Sequence, residues 1–272
     1  MTTVKMTDML RARARTAKSA LVVAYGRYKA AKARTGVLRR LPAWIAAIYL
    51  LLLSFPQVLF AHQLSYRNLT VYSREPIDTS IRNVLDRVES RLAASKIDDD
   101  IKPRIFLTNG FDVYALLSLY VGSNSFAKSY AALPTSNIFI NKADAARDLV
   151  FRRGLPSNER SLSGVIAHEM THLWMRKRFG YWRNIAMPAW KKEGYAEYVA
   201  GGSTLDYETG LRMWSANPRD STGYQYFKYY MLVRFLLEHE ELSVDALVDG
   251  DFDMQALEAR VLDGLKRAGA SR

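Results

Sequence analysis

The 272-residue chain contains no cysteine and only four histidines. Without cysteine there is no disulfide framework and no thiolate metal site. Any transition metal must then be held by imidazole and carboxylate, so the placement of the few histidines carries unusual weight. Acidic residues are scarce at the start. Residues 1–40 hold eleven Lys or Arg against the single acid Asp8, which accounts for +10 of the formal net charge of +12. The remainder is nearly neutral. A nucleic-acid-binding reading would need a basic face on the folded part, and the charge distribution gives it little support. Internal repeats and low-complexity runs are also missing.

Charge of either sign is missing again between Arg40 and Arg67. The run Leu41 to Ala61 is almost wholly apolar, and its 21 residues would reach about 31 Å as a helix, close to the hydrocarbon thickness of a bilayer. Pro42 suits a first turn, Pro56 would kink the far end, and Trp44 lies near the basic edge. The expectation is a basic cytoplasmic tail over 1–40, a transmembrane signal anchor over 41–61, and a domain over 62–272 on the extracytoplasmic or periplasmic side. Two alternatives stand beside the anchor. One is a cleaved signal peptide, although the n-region is long and Leu59 would occupy the −3 position; the other is a buried core helix. The Arg-rich, Ala-rich, acid-poor start also fits a mitochondrial presequence, which would place the domain at the mitochondrial inner membrane.

After residue 62 the pattern is that of an α+β domain. Strands are expected at Leu69–Ser73, Arg104–Thr108 and Asn137–Asn141, a helix at Ile77–Ala94, and turns at Asp98–Asp100 and Asn109-Gly110. A polar loop spans 152–160. Four helices then follow: Ser161–Arg178 ending at Gly180, Ala189–Ala200 ending at Gly201-Gly202, Gly223–Glu240 and Val244–Ala268.

The chemistry lies in His168-Glu169-Met170-Thr171-His172. Two histidines at i and i+4 on a helix share one face and reach a single ion at about 2.0–2.1 Å. Glu169, next to the first, points at a water in the metal's open position and serves as general base. The segment Pro188-Ala-Trp-Lys-Lys-Glu-Gly-Tyr-Ala-Glu197 follows on the next helix, with carboxylates at Glu193 and Glu197.

Together these motifs resemble the gluzincin zinc metallopeptidases, and especially the small peptidase-MA-like proteins. The match rests on the HExxH residues and on Trp190, Glu193, Gly194 and Ala196, with twenty residues between His172 and Glu193. It covers about residues 160–240. The metzincin pattern is not met, since Met175 and Arg178 stand where it needs Gly and His. The resemblance implies a thermolysin-like catalytic domain with a small sheet and a helical C-terminal half. It implies Zn²⁺ held by His168, His172 and Glu193, with Glu197 orienting a ligand histidine. It also implies a tyrosine that stabilises the oxyanion, for which Tyr226 is chosen among Tyr224, Tyr226, Tyr229 and Tyr230. Strand 137–141 takes the place of the edge strand that pairs with an extended substrate, with a plain sheet strand as the alternative. The expected function is a membrane-anchored zinc peptidase acting on a peptide or protein substrate. The alternative is a catalytically silent, membrane-anchored binding or assembly protein that keeps the fold; intact Glu169 favours turnover. His62 and His239 lie outside any ligand pattern.

Overall fold

The computed structural model describes residues 23–27, 29, 40–93, 95–97, 101–119, 124–130, 133–153, 159–216 and 222–270. Most of the basic segment 1–40, the Asp98–Asp100 turn and residues 154–158 of the polar loop lie outside the described residues. The chain divides into two compact units, Met1–Phe55 and Pro56–Arg272.

In the first unit, residues 40–54 are helical (α1). The expected transmembrane anchor over 41–61 is not found. Among the described residues, no helix is long and apolar enough to cross a membrane. The reason lies in the far end of the run. Phe55 N still bonds to Leu51 O at 2.8 Å, but Pro56 has no N–H to continue the ladder. Pro56–Leu59 turns as a 3₁₀ helix, and β1 begins at His62. The described helical part of the run, 41–54, spans about 21 Å against the roughly 30 Å of a hydrocarbon core.

The second unit is built on a five-stranded sheet in the order β1-β2-β3-β5-β4, comprising His62–Tyr66, Leu69–Ser73, Arg104–Leu107, Asn137–Ile140 and Ala127–Ser129. Strands β2, β3 and β5 are parallel, and the edges β1 and β4 are antiparallel to their neighbours. The parallel pairs need helical crossovers, supplied by α2 (Ile81–Leu92) and α3 (Phe111–Leu117). Helix α2 presents Ile81, Val84, Leu85, Val88 and Leu92 to the core, the face its periodicity predicts. All four residues of β5 are buried, as expected for an inner strand. This corrects the edge-strand expectation for 137–141: β4 pairs with β5 on the outer side, so β4 is the edge among the described strands.

A second sheet, β6-β7-β8 (Lys142–Asp144, Leu149–Phe151, Glu159–Ser161), leads into the central helix α4, Leu162–Phe179. Helix α4 is buried on most of its surface, the mark of a helix enclosed by other elements. It packs on α2, α6 (Ala189–Ala200) and β4, while α6 packs against α8 (Thr222–Arg234). Short helices α5 (Tyr181–Ala186) and α7 (Tyr207–Ala216) fill the connections. The helix expected over 223–240 ends in a π turn at Phe235–His239.

The helix expected over 244–268 is two helices, α9 (Val244–Asp249) and α10 (Met254–Ala270). Two devices enforce the break. The buried Lys191 Nζ donates to Val248 O at 3.1 Å and Gly250 O at 2.5 Å, closing α9. Asp253 Oδ1 accepts from Gln255 N and Ala256 N, opening α10.

Candidate metal centre

Helix α4 is fixed at both ends. Its N-cap Ser161 accepts from Gly164 N through its side chain, and Asp148 on the β6–β7 turn accepts from Ser163 N at 2.7 Å. Gly180, at φ +81°, turns the chain out of the helix where a β-carbon would be strained. Helix α6 ends at Gly201, also at φ +81°. Both stops agree with the sequence, and together they set the two helices that carry the site.

His168 and His172 project from α4 toward Glu193 on α6. Their Nε2 atoms are 3.1 Å apart, and they lie 3.4 Å and 3.3 Å from Glu193 Oε2. Three donors bound to one ion at about 2.0–2.1 Å in tetrahedral geometry would be roughly 3.3–3.4 Å apart. The observed triangle has that size, and this group could hold a metal ion. The donor chemistry agrees. Two imidazole nitrogens and a carboxylate oxygen converge on one point, and the Nδ1 atoms of both histidines are buried without a hydrogen-bond partner.

Glu197 lies one turn beyond Glu193 and is fully buried. Its Oε1 is 3.2 Å from His168 Nδ1, on the side of the ring away from the donor triangle. Arg160 on β8 donates to both of its oxygens, at 3.0 Å and 2.7 Å. Burial would lower the His168 pKa, but the Glu197 and Glu193 carboxylates outweigh it and push it up to about 10 in the metal-free site. Burial would raise Glu193 and Glu197, but the histidines beside Glu193, and Arg160 with His168 beside Glu197, hold both well below the usual carboxylate range.

A cleft of about 500 Å³ opens onto this cluster. Glu169 lines it and accepts a short hydrogen bond from Ser129 Oγ of the edge strand. Of the four candidate tyrosines, Tyr226 lines it, with its ring centroid 6.4 Å from that of His168. Burial and then the Glu193 charge push its hydroxyl pKa upward, so it remains a proton-bearing donor at neutral pH. His62 lies on β1, and His239 packs its ring on Phe235, both outside the cluster.

A β-carbon at Gly194 would meet Tyr229 O at 2.5 Å and Val233 Cγ2 at 2.7 Å. The role of this glycine is the close approach of α6 to α8. Sequence reasoning missed Ser129 and Arg160. The signal for Arg160 was indirect: a buried acid on α6 requires a cation, but nothing local names which of many basic residues supplies it.

A scan of protein-family models returns no match to this chain, and a search of curated proteins finds none similar to it.

Proposed function

We propose that the chain is a zinc-dependent peptidase of gluzincin type. The observation that carries this reading is the donor triangle of His168, His172 and Glu193, with edges of 3.1–3.4 Å, at the wall of a cleft that Glu169 also lines. Two imidazoles and one carboxylate leaving a fourth position open is a donor set used for catalytic zinc. When bound, zinc supplies Lewis-acid polarisation of a carbonyl and lowers the pKa of water.

The chain's own residues supply the rest. Glu169 accepts a proton from water in the cleft and returns it to the departing amine. Tyr226 offers its hydroxyl to the oxygen on which negative charge develops. The outer side of β4 offers backbone N–H and C=O groups to an extended peptide, because β4 ends the sheet among the described strands. Ser129, on that strand, already bonds Glu169, so a peptide paired there would lie beside the base.

The test is cleavage of an unfolded protein substrate by the zinc-loaded full chain and by its Glu169→Gln variant, with zinc content measured in both. The reading predicts cleavage by the first only, at equal zinc. Equal cleavage by both would contradict the role of Glu169. Zinc binding without cleavage by either would favour a silent binding protein on the same fold.

A further inference from the structure

We propose that Arg160 is a positioning residue of this centre: it holds Glu197, and through it His168, in the orientation that directs Nε2 toward a metal. The inference rests on the metal-site reading above. Its support is geometric. The Arg160 guanidinium grips Glu197 with two near-parallel bonds of 3.0 Å and 2.7 Å, and one of its nitrogens also reaches Gly202 O at 3.3 Å. Such fork-on-fork pairing fixes the plane of a carboxylate as well as its place. The fork thereby places Glu197 Oε1 3.2 Å from His168 Nδ1, the ring nitrogen turned away from the donor triangle.

The location of Arg160 adds to this. It stands on β8 immediately before Ser161, the N-cap of α4, and its contacts reach the C-terminal end of α6. One side chain therefore ties the start of the helix carrying both histidines to the end of the helix carrying Glu193. The pair is enclosed, with Glu197 fully buried and the Arg160 side chain 13% exposed. The guanidinium carbon lies 5.9 Å from the centre of the Phe126 ring, which backs it. A buried carboxylate without its cation is costly, so the pair also neutralises the charge that would otherwise make Glu197 untenable behind the ligand.

Zinc affinity of the full chain, measured by chelator competition, tests the proposal. Arg160→Gln is expected to bind zinc about ten-fold more weakly, the lower end of what outer-shell losses cost. Arg160→Lys should fall between it and wild type, because an ammonium keeps the charge but not the fork. If Arg160→Gln fails to fold, the neutral pair Arg160→Gln/Glu197→Gln replaces it. That double variant should bind zinc no more weakly than Glu197→Gln alone. Wild-type affinity in Arg160→Gln, or a further ten-fold loss in the double variant, would overturn the proposal. Ring-nitrogen NMR of the metal-free protein separates this from the metal-site reading. If wild type binds no zinc, that reading fails. A His168 signal altered in Arg160→Gln would still support the positioning role, and an unaltered one would overturn it.

Discussion

At the scale of single residues, the convergence of His168 and His172 was legible because it is local: helical spacing alone puts both rings on one face. Glu193 was legible only through resemblance, and the structure brings it to 3.3–3.4 Å from both Nε2 atoms. Arg160 was not legible, because the partner of a buried acid is chosen by the fold and not by sequence distance. The site separates into distinguishable roles. Glu193→Gln should lose zinc, since two protein donors remain. Glu197→Gln should weaken zinc by about 10–100-fold, because Glu197 meets the ring nitrogen and not the donor triangle. Zinc titration of the two variants decides; retention in the first with loss in the second would place the ligand one turn off. Tyr226→Phe should leave zinc affinity unchanged and lower kcat by about 10²-fold, the effect of removing one oxyanion donor. An unchanged kcat would remove Tyr226 from the mechanism.

At the scale of elements, helix ends were the best-read features. Ser161, Gly180 and Gly201 act through their own backbone and side-chain preferences, and α4 and α6 start and stop where those residues predict. Elements that depend on distant partners were read less well. The edge strand β4 is three residues of modest strand preference, Ala-Lys-Ser, and becomes a strand by pairing with β5. The apolar run at 41–61 reads as a single span by hydropathy, yet Pro56 ends its helix and Phe60 packs on Phe106 of β3, ring centroids 5.0 Å apart. The α9–α10 break depends on Lys191, more than fifty residues earlier in the chain. The tightest element contact yields a prediction. Gly194→Ala must push α6 from α8, because the new methyl would lie 2.5 Å from a backbone carbonyl. A loss of about 1–3 kcal/mol in unfolding free energy is expected, with weaker zinc binding because Glu193 moves with α6. Denaturant unfolding of the metal-free protein that matches wild type would show that the helices are not packed so closely.

At the scale of the whole molecule, charge is unevenly distributed along the chain. The basic excess is concentrated in residues 1–40, while the second unit gathers Glu193, Glu197, His168 and Arg160 into one group around the fully buried Glu197. That group makes the metal-free protein's stability depend on pH in both directions. His168 is raised from 6.5 to about 10, so its contribution is complete below pH 6.5 and is lost as pH rises toward 10. Glu193 and Glu197 are depressed from 4.5, so their contribution is present above that value and is lost as pH falls below it. Thermal melting of the metal-free chain should therefore give its highest Tm between about pH 4.5 and 6.5, with a decline on each side. A Tm that rises steadily from pH 6.5 to 10 would contradict the pairing.

The proposed centre requires one ion among His168, His172 and Glu193. X-ray absorption at the zinc edge of the zinc-loaded full chain tests it most directly. The prediction is one zinc per chain with four neighbours at about 2.0–2.2 Å, two of them showing the outer scattering of imidazole rings. Binding below one ion per chain, or a six-oxygen shell without imidazole scattering, would contradict it.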